Sequence, residues 1–326
     1  INIGGAVGGT TPLASLTTNG TTTINGNVTT TGTQTYNNNL SFNNPDPQIT
    51  AGELNLNGTV SGTGNLVVQP ETTTSAIELG GNNQSAGLNL TEAELQLIDG
   101  FDSVTIGRSG DTGTINIAGV VDLTENNFDL NLRGGPLTFN NGIALRDNGT
   151  LTLNTGSITS PALTDRDIAI NNGTLVLDVS GDVGELLSPL VTDVSQLDVE
   201  NVSGNLFLEN FQNLDLVKAN ITGNLAITNN GNITDSGTIN VGESSTFTTT
   251  ANDATITLDQ LFAIGLISLN TTGSNANVTV TNATAIDLAT SNVGGNLNVT
   301  ATTGTITDSG LVTVGGNGNF TTDEND

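Results

Sequence analysis

The chain has 326 residues and carries 32 acidic against 5 basic side chains, a formal net charge of -27. That balance excludes a protein that tracks nucleic-acid phosphates, which needs a basic stripe, and one that docks on anionic lipid. With no Cys and no His, the sequence lacks the parts of thiol and imidazole catalysis, of a disulfide scaffold and of a zinc site.

Residues 1–9 are an apolar, glycine-rich start whose large side chains are Ile1, Ile3 and Val7. From there a short bead recurs: aliphatic, polar, aliphatic, then Asn, Gly, Ser or Thr. It reads Leu54-Asn55-Leu56, Leu88-Asn89-Leu90, Ile115-Asn116-Ile117, Leu151-Thr152-Leu153, Leu175-Val176-Leu177, Val278-Thr279-Val280 and Leu297-Asn298-Val299. Alternation over so few residues predicts a strand, because strand side chains change sides at every position. The turn residues between beads bend the chain again and again. Leu54, Leu66, Ile77 and Leu88 head beads 12, 11 and 11 residues apart, and Val278, Ile286 and Leu297 are 8 and 11 apart. A chain that bends this way without pause is winding. The expected class is all-β, a parallel β-helix (solenoid) with two or three beads to a rung of roughly 20 to 30 residues. No linker, charge block or change of bead chemistry interrupts it, so residues 1–326 are expected to form a single elongated domain. An aromatic content of 3% suits a narrow column of Leu, Ile and Val better than a broad globular core.

Three stretches punctuate the beads. Residues 91–98 predict a turn or two of helix, with Thr91 capping the open amides, Glu94 completing a capping box and Gly100 closing the segment. Residues 184–196, which include Pro189, and residues 258–264 are further candidates for short helical excursions. The longest apolar run, residues 261–267, is far short of the ~18 residues of a membrane span.

A long block repeats. Ile233-Thr234-Asp235-Ser236-Gly237 returns as Ile306-Thr307-Asp308-Ser309-Gly310, an offset of 73, and Gly223-Asn224-Leu225 returns as Gly295-Asn296-Leu297, an offset of 72. Residues 223–250 and 295–323 are thus copies. The added residue between Leu297 and Ile306 marks a corner, since an insertion inside a strand would turn its later side chains to the wrong face. An offset near 72 predicts about three rungs. Asn-rich corners such as Asn19-Gly20, Asn57-Gly58 and Asn229-Asn230-Gly231 fit positive φ and local backbone bonding, and stacked Asn can form amide ladders. Asn-x-Ser/Thr triplets such as those at Asn220 and Asn282 follow from an Asn- and Thr-rich composition.

Candidates for chemistry are few. Asp165 and Asp167 are hard oxygen ligands of the kind Ca2+ takes, but no Asp-x-Asp-x-Asp-Gly loop surrounds them. No cofactor is expected, with surface Ca2+ left open. The basic residues Arg108, Arg133, Arg146, Arg166 and Lys218 are spread widely, whereas a coil-shaped enzyme acting on acidic polysaccharide needs a base among converging acids. The chain is therefore not expected to be an enzyme. Residue 1 is not Met, so the sequence reads as a processed product or a fragment, and the absence of Cys fits export in an unfolded state.

Residues 29–38, Thr-Thr-Thr-Gly-Thr-Gln-Thr-Tyr-Asn-Asn, resemble a "TTGxQTY" segment of large bacterial exoproteins of the filamentous-haemagglutinin type. Residues 87–95 followed by 100–107, and the Ile-Thr-Asp-Ser-Gly blocks, are similar to other recurring segments of these proteins. The resemblance implies a right-handed parallel β-helix, two-partner or related secretion, an adhesive or fibrous role, and the outer surface of a Gram-negative bacterium, cyanobacteria included.

The expected function is that of a non-catalytic shaft of a secreted or cell-surface adhesin or fibre. One alternative is a subunit of an extracellular filament, polymerised when the strand around Ile1, Ile3 and Val7 adds to the open end of the next copy. Another is a glycan- or ice-binding module using Thr-rich strands. Partners are then neighbouring copies, further rungs of a longer chain, or host or matrix glycans, with no nucleic acid and no membrane insertion.

Overall fold

Short beads with one apolar and one polar side can bury the first only by stacking on other beads. This is what the computed structural model, which describes residues 1–82, 87–161 and 166–322, contains. The chain divides into two units, Ile1–Asn171 and Asn172–Asp326, built as an all-β, right-handed parallel β-solenoid. Neighbouring strands run in the same direction, from Asn2↔Thr23 in the first unit to Leu297↔Gly318 in the second.

In the first unit one stack runs through Val28–Thr29, Gln48–Ala51, Asn65–Pro70, Ser103–Ile106, Asp129–Arg133 and Thr150–Thr155. Its inward file includes Leu66, Val104, Leu130 and Leu151, in register and fully buried. Each such side chain contributes roughly 1.5 to 3 kcal/mol. The lap from Leu130 to Leu151 spans 21 residues, but the lap from Leu66 to Val104 spans 38. The long lap holds an excursion. Strand Ile77–Leu79 pairs on one edge with Ile115–Ile117 and on the other with Leu88–Leu90, so the chain steps back in the stack before going on.

The helix Glu92–Gln96 follows that step. The Thr91 Oγ1 accepts the Glu94 N–H at 3.3 Å and the Glu94 carboxylate accepts the Thr91 N–H at 2.9 Å, a complete capping box. Gly100 has φ +80°, which permits the sharp exit. The helix is tied to strand Val121–Leu123, with Gln96 Nε2 donating to Asp122 O at 2.9 Å and Glu92 Oε1 accepting the Asp122 N–H at 3.2 Å. It is the one helix among the described residues.

The other two expected excursions are not helical. Within 184–196, Glu185 and Ser188 exchange backbone bonds of 2.9 and 3.0 Å in a tight turn, and strand Leu190–Asp193 follows. Gly184 at φ +65° and Pro189, which has no N–H, both oppose a helix there. Residues 258–264 fall largely within strand Ile256–Ala263, which pairs with Ile233–Asp235 and Ile239–Val241 on one side and Val278–Asn282 on the other. Two waiting strand edges outweigh a weak local preference.

In the second unit two stacks alternate. One contains Leu214–Ile221, Ile256–Ala263, Val278–Asn282, Leu297–Ala301 and Gly318–Thr322; the other contains Leu206–Asn210, Leu225–Asn229, Ser245–Asn252, Leu266–Thr272 and Ile306–Asp308. A lap takes 19 residues from Leu214 to Ile233 and 23 from Ile233 to Ile256. The 72-residue offset is therefore not three laps. Three laps back from Leu297, through Val278 and Ile256, stands Ile233; Leu225 lies half a lap earlier still. The offset is three and a half laps, and equivalent strands Leu225–Asn229 and Leu297–Ala301 occupy opposite stacks. The exchange works because both stacks ask the same of a bead, an alternating in-out pattern of similar length. The added residue does lie in a corner: residues 302–305 join strands where 230–232 join them in the other copy, and Gly304 there has φ +78°.

One further residue inserted between Thr302 and Thr303 is expected to leave the circular dichroism and shift Tm by only a few degrees. The same insertion between Asn298 and Val299 turns Val299 and Ala301 outward, and we expect a loss of about 2 kcal/mol or more in urea unfolding.

Candidate functional site

The corners carry the chemistry of this chain, and its purpose is cohesion. Among the described residues four non-glycine residues have positive φ, namely Asp46, Asn148, Asn172 and Asp253, the residue types that bear this conformation best. Elsewhere a corner Asn or Asp side-chain oxygen accepts a backbone N–H of the following lap. Asp182 Oδ1 accepts the Asn205 N–H at 2.7 Å, Asn205 Oδ1 that of Asn224 at 2.9 Å, and Asn224 Oδ1 that of Ser244 at 3.1 Å. A second file runs from Asn213 to Asn232 to Thr255 at 2.9 and 2.8 Å, and a third from Asn277 to Asn296 to Asn317, both at 2.8 Å. In the first unit the amides of Asn19, Asn37 and Asn57 form a side-chain ladder of 2.8 and 3.1 Å. Each bond nets only about 0.5–1.5 kcal/mol, but a corner amide with no acceptor would cost more.

Some amides work from inside. Asn210, Asn229 and Asn282 are fully buried. Asn210 Nδ2 donates to Asn229 Oδ1 at 2.9 Å, while Asn282 accepts the Ala263 N–H at 2.8 Å and returns a bond to Ala263 O at 2.9 Å. The Asn-x-Thr triplet at Asn282 is thus committed to the interior, and Asn220 is engaged with Glu200 O and Asn240. The segment that carried the family resemblance is also an interior polar relay. Tyr36 Oη donates to Gln34 Oε1 at 2.9 Å and Gln34 Nε2 to Thr50 O at 2.9 Å, with both side chains buried. Burial pushes the Tyr36 hydroxyl well above its ordinary pKa.

The Asp of the first Ile-Thr-Asp-Ser-Gly block has a role that sequence reading left unassigned. Asp235 accepts the N–H groups of Asp259 at 3.0 Å and Gln260 at 2.9 Å, beside a register shift between Leu258 and Leu261. Burial raises its pKa against those two bonds. The signal was an acid retained in both copies of the block at a corner.

Ile1, Ile3 and Val7 belong to the first lap. Ile3 pairs with Ile24, Val7 bridges Val28, and the Ile1 ammonium donates to Thr21 O at 2.7 Å. Asp165 lies outside the described residues and Asp167 is fully buried; the acidic tail 323–326 also lies outside them. Among the described residues no group of three or more His, Cys, Asp or Glu is placed to hold a metal ion. Arg108 is held by Asp111 at 2.9 Å and Pro70 O at 3.1 Å, Arg146 by Asp129 at 2.8 Å, and Lys218 by Glu200. The expected Thr surfaces are mixed: one file runs Thr234, Thr257 and Thr279 and then passes to Asn298 and Asn319, while another runs Thr281, Thr300 and Thr321.

Two stretches, residues 203–261 and 275–326, match a family described as Repeats of unknown function (DUF5649). They begin 72 residues apart and contain the two copies of the internal repeat. No curated protein and no solved structure matches the chain.

Asn232→Ala should cost about 1–3 kcal/mol by urea unfolding, because the Thr255 N–H loses its acceptor; Asn232→Asp, which keeps the oxygen, should lose much less. A second expectation concerns Glu53, which accepts from Asn89 Nδ2 at 2.7 Å near Glu94. Burial raises its pKa, the Asn89 bond opposes this, and the Glu94 charge adds to it. The folded state then binds the Glu53 proton more tightly than the unfolded chain does. This contribution is fully present below the ordinary carboxyl pKa and is lost as pH rises through the raised one. Glu53→Gln should therefore raise Tm at pH 7 and leave it near the parent value at pH 4.

Proposed function

We propose that this protein is a non-catalytic structural shaft of a secreted or cell-surface bacterial adhesin or fibre. The observation that carries the reading is the continuity of the lap-to-lap bonding within each unit, parallel ladders on the flats and side-chain staples at the corners. A solenoid of this kind distributes load over many small equivalent bonds, each lap held by its neighbours. Its chemistry is spent on cohesion: the corner amides, the buried Asn pairs and the ion-paired bases all join laps. The resemblance to filamentous-haemagglutinin-type exoproteins supports a place on an outer bacterial surface. A net charge of -27 keeps such shafts apart and soluble.

Electron microscopy of native cells with gold-labelled antibody against the second unit tests this. Label on extracellular fibres or at a fixed distance from the envelope is expected; label confined to the cell interior would overturn it.

A further inference from the structure

A β-solenoid faces solvent on its outside, so an apolar run longer than a bead cannot be wholly buried. Residues 261–267 form such a run. Alternation sends Leu261, Ala263 and Ile267 inward, where they are buried, and leaves Phe262, Ile264 and Leu266 outside with 42, 64 and 40% of their surface exposed. Their neighbours in adjoining laps are polar: Phe262 stands beside Asn240 and Leu266 beside Asp287. Packing within this unit gives no reason for outward apolar side chains at Ile264 and Leu266, which border one cleft, and exposed apolar side chains gathered at a cleft mark a contact surface.

Ile264 and Leu266 border a cleft of about 420 Å3 that is also lined by Glu243, Asp287, Asn224 and Thr307. Asp287 Oδ1 is shielded from solvent and has no hydrogen-bond donor. Glu243 accepts from Asn224 Nδ2 at 2.6 Å. The Asp287 and Glu243 carboxylates on the cleft wall give it a negative field that favours a cationic occupant. We propose that this cleft binds a cationic peptide segment, seating a Lys or Arg head on Asp287 and Glu243 with its aliphatic stem along Ile264 and Leu266. Long basic side chains present such a stem and head together. Charge selects the occupant. A second copy brings -27 of its own and 5 basic residues, with Arg108, Arg146 and Lys218 already paired. A foreign basic segment meets no such repulsion.

The test uses the whole chain and end-blocked hexapeptides of alternating Leu and Lys, Leu and Gln, or Leu and Glu, followed by calorimetry. Saturable one-to-one binding of the Lys peptide, weakened by salt, is expected, with the Gln peptide at least tenfold weaker. Asp287→Asn with Glu243→Gln should reduce affinity tenfold or more, and Ile264→Ser severalfold. Glu185→Gln with Glu209→Gln removes the same charge elsewhere in the unit and should change little. Equal weakening by that control pair, equal binding of the Gln peptide, or no binding of the Lys peptide would each overturn the assignment. None of these results depends on the shaft reading, which the labelling experiment tests separately.

Discussion

A side-chain oxygen that caps the backbone amide of the next lap is the interaction on which both units depend. Parallel strands supply their own bonds along the flats, but a solenoid must bend, and each bend turns amides away from the ladder. Asn and Asp solve both halves of that problem. They accept strained corner backbone, as Asn148 and Asp253 do at φ 59° and 62°, and their short side chains reach one lap spacing, ~4.8 Å away. In the file from Asp182 through Asn205 and Asn224 to Ser244, each Asn both donates its backbone N–H and accepts the next. The file therefore propagates like the strands it connects.

The half-lap shift of the internal repeat follows from the same economy of parts. The requirement at each position is local: an inward aliphatic residue, an outward polar one, and a corner oxygen. Both stacks of the second unit impose it, so a block of sequence can be copied without returning to the stack it came from. Strands Ile233–Asp235 and Ile306–Asp308 hold related sequence in different stacks. One consequence is that outward residues of the two copies face different sides, so the repeat does not build a row of identical sites on one face.

Departures from the local rule cluster where something else is being positioned. The long lap from Leu66 to Val104 holds the back-step and the capped helix, and brings the Glu94 charge close enough to raise the cost of ionising Glu53. At the outer side of strand Ile256–Ala263 and its exit, apolar side chains replace polar ones beside a carboxylate oxygen with no donor. A structure whose ordinary positions are so repetitive makes these exceptions easy to place, and they are where binding or assembly is to be sought.

Much of this was legible in the order of residues. Alternating beads and their spacing gave the parallel solenoid, Thr91 with Glu94 gave the helix, and the extra residue between Leu297 and Ile306 gave a corner, because each depends on neighbours within a few positions. The polar role of Asn was legible as a type, but not which laps its oxygen would join. The helices expected over 184–196 and 258–264 failed because Pro189 and two adjoining strand edges decided there. The half-lap offset, the buried relay of Gln34 and Tyr36, and the exposure of Ile264 depend on how many residues each lap consumes. That count varies from 19 to 23 in the second unit's laps through Ile233, and it is fixed only when every lap has settled on the one before it.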